Sequence, residues 1–339
     1  MSVALWLIHP GALESQLPEM RELESGTTAL LQAVSAPSES VVWVSGHEGV
    51  VLRSEDGGET WIRRHVPSLD SLQFRDIHAF DASVAVILSA GTGSQSRIYR
   101  TINGGETWSL SWINEEPEGF YDCLDFWDDR RGLVYGDAVA GGLRILLTHD
   151  GGASWQLVPP ERLPDPAGSE GGFAASGTCV RAGADGSAWI ATGAGDRPRV
   201  LSTEDYGLQW GATDLPLVSG QAAGAVTIAF STAEVGFVLG GDLGQADEYT
   251  DNVARTGDGG QTWRLGTRPP FVGAVYGSAL LRTPIRLLAA GPAGLAFSLD
   301  EAVSWILLDG RSFWAVGGAG RTAWAVGPDG RILELAWND

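Results

Sequence analysis

Apolar residues in this chain come in short alternating runs, each bounded by clusters of Gly, Asp, Asn and Ser. Such runs read as β-strands closed by turns, and no stretch sustains the 3.6-residue period of an amphipathic helix. First strands are expected at Leu72 to Phe80, Phe120 to Trp127, Gly172 to Ala182, Gly224 to Phe230 and Val275 to Leu281. Second strands are expected at Val41 to Ser45, Val84 to Ser89, Gly132 to Gly136, Ala188 to Thr192, Val235 to Gly240, Arg286 to Ala290 and Ala323 to Gly327. Third strands follow at Val50 to Arg53, Arg97 to Arg100, Leu143 to Leu147 and Arg199 to Leu201.

The pattern repeats. Ser54-Glu55-Asp56-Gly57-Gly58-Glu59-Thr60-Trp61 returns around Asn103, Asp150, Asp205, Asp258 and Asp300, closing on Trp108, Trp155, Trp210, Trp263 and Trp305. These tryptophans are spaced by 47, 47, 55, 53 and 42 residues, about one four-stranded propeller blade. Asp or Asn folds back on its own backbone and Gly accepts positive φ, so the motif builds a tight turn. The Trp ring then packs against a neighbouring blade. The carboxylates are therefore expected to be structural. Seven units can be counted, giving an all-β, single-domain, seven-bladed β-propeller over residues 1–339. The expected blades are 29–71, 72–118, 119–170, 171–221, 222–272, 273–311 and 312–339 with 20–28. In the last, Met20 to Glu24 would supply the fourth strand and close the ring, removing exposed edges.

Composition then excludes chemistry. Lys and Arg total 22, and every one is Arg, so no P-loop and no Schiff-base lysine is present. The formal charge of −20 opposes a phosphate backbone, and no nucleic-acid partner is expected. No apolar run approaches the length that spans a bilayer. The N-terminal apolar stretch lacks a basic n-region, so it makes no convincing signal peptide. Cys123 and Cys179 lie on the first strands of adjacent units, and the sequence leaves open whether they pair. Of His9, His47, His65, His78 and His149, none shares metal-ligand spacing with another. The acidic loop Asp242 to Asp251 departs from EF-hand spacing. Neither a metal nor a cofactor is expected.

The S/T-x-D-G-G-x-T-W turns, the unit starting Ser25-Gly26-Thr27-Thr28 and the strand Trp324-Ala325-Val326-Gly327 resemble the photosystem II stability/assembly factor-like propellers. That family sits within the wider BNR, or Asp-box, sialidase-like group. The resemblance covers the whole chain. It implies a non-enzymatic scaffold, expected to be a monomer, that engages a protein partner or a small-molecule or glycan ligand through one propeller face. Family members often work in a periplasm or lumen, otherwise in the cytoplasm; the compartment is not fixed here. Photosynthetic members use an Arg-rich patch, and Arg63-Arg64, Arg130-Arg131, and Arg197 with Arg199 are the local Arg clusters. In a four-stranded blade the Asp boxes occupy one face. A site is thus expected on the other, where loops present Arg75, Asp76, Tyr121, Asp122, Asp137, Glu170, Asp242, Tyr276 and Trp314. The alternative is a sialidase-like glycoside hydrolase, for which Glu170, Asp122, Asp242, Tyr121 and Tyr276 would supply acid, base and nucleophile.

Overall fold

The computed structural model of the chain describes residues 16–64, 66 and 69–338. The expectations for the first ten residues and for His65 lie outside them. Seven four-stranded antiparallel sheets are present. Their inner strands are Leu31–Ser35, Phe74–Ala79, Tyr121–Phe126, Val180–Ala182, Ala223–Phe230, Gly277–Arg282 and Ala315–Ala319. The second strands follow the expected alternation closely: Ala188–Thr192 has the same ends, and Ala85–Ser89 differs by one residue. Inner and second strands are covered on both faces, which is why they read as nearly continuous apolar runs. The outer strands are short and exposed, only two residues in Ile62–Arg63, Gln156–Leu157 and Arg264–Leu265. Short exposed edges of this kind discourage edge-to-edge pairing. In the seventh sheet Glu19–Leu23 pairs antiparallel with Ile332–Ala336, from Glu19 opposite Ala336 to Leu23 opposite Ile332.

The repeated turns owe their shape to one hydrogen-bond set. Ser54 Oγ donates to Asp56 Oδ1 at 2.7 Å and accepts from Gly58 N at 2.8 Å. Asp56 also accepts from Thr60 N at 2.9 Å and from Thr60 Oγ1 at 2.6 Å. The same bonds recur around Asp150, Asp258 and Asp300. Bonds to Thr60 and Ser54 pull the Asp56 carboxyl down to about 2, and those to Thr256 and Thr262 do the same for Asp258. These carboxylates are fully used by the turn.

The turn tryptophans seal the gaps between blades. Trp108 meets Trp43 edge-on at 6.2 Å, and Trp155 meets Phe126 at 5.8 Å. Trp263 packs on Phe230, which stacks on Trp189 of the preceding blade at 3.7 Å. Covering a ring of this size stabilises by roughly 4–6 kcal/mol. Between the third and fourth blades the core is pinned covalently. Cys123 and Cys179 form a disulfide with Cα atoms 5.8 Å apart, closing a sequence separation of 56. No helix among the described residues is long and apolar enough to cross a membrane.

One element departs from the strand pattern. Gly172 to Ala182 alternates like a first strand, yet only Val180–Ala182 joins the sheet. Gly171 still bridges Gly193, and residues 172–178 leave the sheet: Gly177 takes φ +72°, and two side chains from other blades crowd the backbone. A Cβ at Gly172 would stand 2.8 Å from Asp122 Cγ, and one at Gly177 would strike the Asp76 carboxyl. Only glycine fits both places.

Candidate functional site

Strands within a sheet alternate in direction, so first and third strands end on the same face. The repeated turns follow the third strands and mark that face. The displaced segment 172–178 lies nearer the other end of the channel and crosses it as a strap. Its anchors come from blades around the ring. Gln32 Nε2 donates to Ala175 O at 3.2 Å, and Arg75 Nη1 to Ala174 O at 3.3 Å. Ser176 Oγ donates to Tyr276 O at 2.6 Å, and Asp137 Oδ1 accepts from Gly172 N at 2.9 Å. Ala174, Ala175 and Ser176 are all buried. At its C-terminal end the strap runs into the Cys179 disulfide.

The strap sorts the candidate residues. Asp122 and Asp137 lie against it with their carboxyls facing each other. Asp122 Oδ2 meets no N–H or O–H donor from another residue type. Burial first, then the Asp137 charge, pushes Asp122 well above the usual carboxylate range; burial raises Asp137 as well. Arg75 is half-buried beside them, its guanidinium also donating to Gln73, and burial holds it below its ordinary value. His47 is lowered by burial and by the Arg75 charge, and its Nε2 is buried without a partner.

Glu170 is fully buried in an ion pair with Arg199. It also accepts from Thr192 Oγ1 at 2.6 Å and Ala167 N at 2.9 Å. Tyr121 is buried edge-on to Trp112 at 4.6 Å, and burial pushes its hydroxyl up to about 12. Tyr276 and Trp314 are half-buried partners with ring centroids 4.8 Å apart. Asp242 is half-buried and accepts from Gly244 N at 2.8 Å, at the start of the exposed acidic loop. The structure thus gathers Arg75, Asp122 and Asp137 at the strap. Glu170, Tyr121 and Asp242 have partners of their own, and the Tyr276–Trp314 pair meets the strap through the Tyr276 carbonyl.

Below the strap the channel is a blind cup of about 340 Å³ lined by all seven inner strands. Asp76 lies deep in it, buried, with Oδ1 accepting from Ile77 N at 2.7 Å and Oδ2 from Leu124 N at 2.5 Å. Nearer the repeated-turn face are His78, Asp125 and Arg181, with His78 Nδ1 at 3.1 Å from Asp125 Oδ1. The His78 ring sits between Phe80 and Phe126 at 4.9 and 4.8 Å. In the sequence His78 is only one of five histidines without metal-ligand spacing, and Asp125 and Arg181 belong to no motif. Their signal was a polar residue inside an otherwise apolar inner strand. Over the other face, a shallow groove of about 600 Å³ lies between the seventh and first blades. Glu24, Glu48, Arg63, Asp329 and Arg331 line it. The remaining Arg clusters are locally paired: Arg131 with Asp128 at 2.6 Å and Arg197 with Asp214 at 2.8 Å. Among the described residues no group of His, Cys, Asp and Glu is placed to hold a metal ion.

No family model matches the chain, and no curated protein does. Solved structures match across nearly its whole length. YCF48 bound to D1 peptide is 17% identical, covering 95% of this chain and 99% of that one, with a TM-score of 0.63. YCF48 from Cyanidioschyzon merolae is 15% identical over 94% and 99%, with a TM-score of 0.64. Virginiamycin B lyase from Staphylococcus aureus is 12% identical over 94% and 99%, with a TM-score of 0.62. A binding protein and a lyase match equally well, so these likenesses show one thing, that the chain is a seven-bladed β-propeller.

Proposed function

We propose that the chain is a non-enzymatic binding propeller of the photosystem II assembly-factor type, engaging a protein partner through the face opposite the repeated turns. The observation that carries this reading is the state of the residues a hydrolase would need. Glu170 is locked by Arg199, and Asp122 and Asp137 hold each other at the strap. Tyr121 is packed under Trp112. Glycoside hydrolysis needs two carboxyls about 5–9.5 Å apart with a sugar between them, and these groups serve the protein interior. The likeness to YCF48 bound to D1 peptide supports a polypeptide as the ligand class. The groove of Glu24, Glu48, Arg63, Asp329 and Arg331 and the exposed loop from Asp242 to Asp251 offer mixed-charge relief on the proposed face. With Arg75, Tyr276 and Trp314 nearer the axis, they are the contacts we assign. In the same reading the repeated turns are Asp boxes of the BNR type, and the N-terminal strand closes the ring.

Affinity isolation from the native cell, with wild type beside the Glu48→Arg/Asp329→Arg variant, tests this. A partner lost by the variant, which folds as wild type does, supports the reading. Turnover of any glycoside in a substrate panel, abolished by Glu170→Gln or Asp242→Asn at unchanged melting temperature, overturns it.

A further inference from the structure

We propose that the cup is a binding site for a compact organic carboxylate, its charged end on Arg181 beside His78 and its apolar body against the fifth to seventh blades. This goes beyond partner binding and concerns the opposite side of the strap.

The argument is an accounting of donors and acceptors. Asp125 has its oxygens occupied: Oδ1 by Phe126 N at 2.8 Å and His78 Nδ1 at 3.1 Å, Oδ2 by Ala182 N at 2.9 Å. Both Asp76 oxygens accept backbone bonds. The hydroxyls at the floor satisfy one another. Ser176 donates to Tyr276 O, Thr178 to Thr227 at 2.7 Å, and Thr227 and Ser278 share a bond of 2.6 Å. What remains unused is a donor. The Arg181 side chain is 44% exposed and its nearest acid, Asp125 Oδ2, is 3.7 Å away, beyond hydrogen-bond reach. A guanidinium with its planar fork open matches a carboxylate in bidentate fashion.

The wall facing it has the opposite character. The half-buried Ala279 and Leu280 present carbon there, the strand edges at Ala229 and Val316 continue the wall, and Gly317 and Gly318 add no side chain. One ionic side and one apolar side fit an amphiphilic anion, and the blind floor limits its length. The volume is at the small end of ligand pockets. At physiological salt the charge of the remote surface is screened beyond about 8 Å, so the local guanidinium governs the approach. A free metabolite and the C-terminus of a peptide share this chemistry.

Calorimetric titration at 0.15 M salt would use phenylacetate and hexanoate, with phenylacetamide and benzylamine as uncharged and cationic controls. Acetyl-Leu-Phe with a free or an amidated C-terminus covers the peptide source. The carboxylates are expected to bind at least tenfold more tightly than the amide or amine. Arg181→Gln should weaken them at least tenfold. Binding of phenylacetate assigns a free small molecule; binding only by the free-acid dipeptide assigns a chain terminus. The absence of binding by every carboxylate at 10 mM overturns the proposal. So does equal binding of acid and amide, or undiminished binding by Arg181→Gln at wild-type melting temperature.

Discussion

Removing the cation from the buried Glu170–Arg199 pair tests whether Glu170 is structural. Glu170 has no exposed surface, and the Arg199 side chain is 7% exposed. In Arg199→Met the carboxylate keeps only Thr192 Oγ1 and Ala167 N as donors. An uncompensated buried charge costs about 3–5 kcal/mol. Unfolding entropy of about 2.1 cal/mol/K per residue over 339 residues is about 0.7 kcal/mol/K, so the melting temperature should fall by about 4–7 °C. Differential scanning calorimetry at pH 7 measures it. Glu170→Met/Arg199→Met removes both charges and keeps comparable volume, so it should recover most of the loss, since apolar replacements of buried ion pairs are often neutral or better. Two results would refute the reasoning. One is an Arg199→Met variant melting within about 1 °C of wild type; the other is a double variant no more stable than the single one.

Three further outcomes follow from the same geometry. Replacing both cysteines by Ala releases the constraint over 56 residues and should lower the unfolding free energy by about 4 kcal/mol, read from urea titration in non-reducing buffer. Gly177→Ala should cost more than Gly26→Ala. Both glycines have φ near +73°, worth about 1–2 kcal/mol for a side chain, but only at Gly177 does the new Cβ meet Asp76, adding about 1–3 kcal/mol. Thermal melts of the two variants give the difference directly. Across pH, two groups of acids act in opposite senses. The carboxyls of Asp56 and Asp258, lowered to about 2, contribute stability that is present above the unfolded value near 4 and lost as pH falls toward 2, so the Asn variants should flatten the acid limb. Those of Asp76, Asp122 and Asp137 are raised, so their contribution is complete below the unfolded value and declines as pH rises. Asp122→Asn should therefore lose less stability between pH 4 and pH 8 than wild type does.

The blades were legible because their rules are local. The Ser/Thr-x-Asp turn makes its bonds within seven residues, Ser54 to Thr60, and the strands beside it are read by the same alternation that packs them. The strap was not legible, since its cause is distant. No residue type within 172–178 rules out a strand when read alone. Asp76, Asp122 and Asp137, brought against it by other blades, do so. Glu170 illustrates the same limit: beside a loop it resembles a catalytic acid, and only the fold delivers Arg199 to neutralise it. His78, Asp125 and Arg181 escaped because single polar residues on inner strands have no meaning until the strands are arranged around an axis.

The strap also decides how the two faces relate. An open channel would let one ligand feel both mouths. Here a buried segment, tied by Gln32, Arg75, Asp137 and the Cys123–Cys179 bond, separates a blind cup from the loops above. Binding on one side can influence the other only if the strap has two arrangements that the ligands distinguish. Its anchors argue against a second arrangement at little cost: lifting it would leave several buried backbone groups without partners, each worth about 1–3 kcal/mol. The two proposed sites should therefore be thermodynamically independent. A carboxylate filling the cup would leave affinity for a partner on the opposite face unchanged, and a shift of more than about fivefold, near 1 kcal/mol of coupling, would mean that the strap moves.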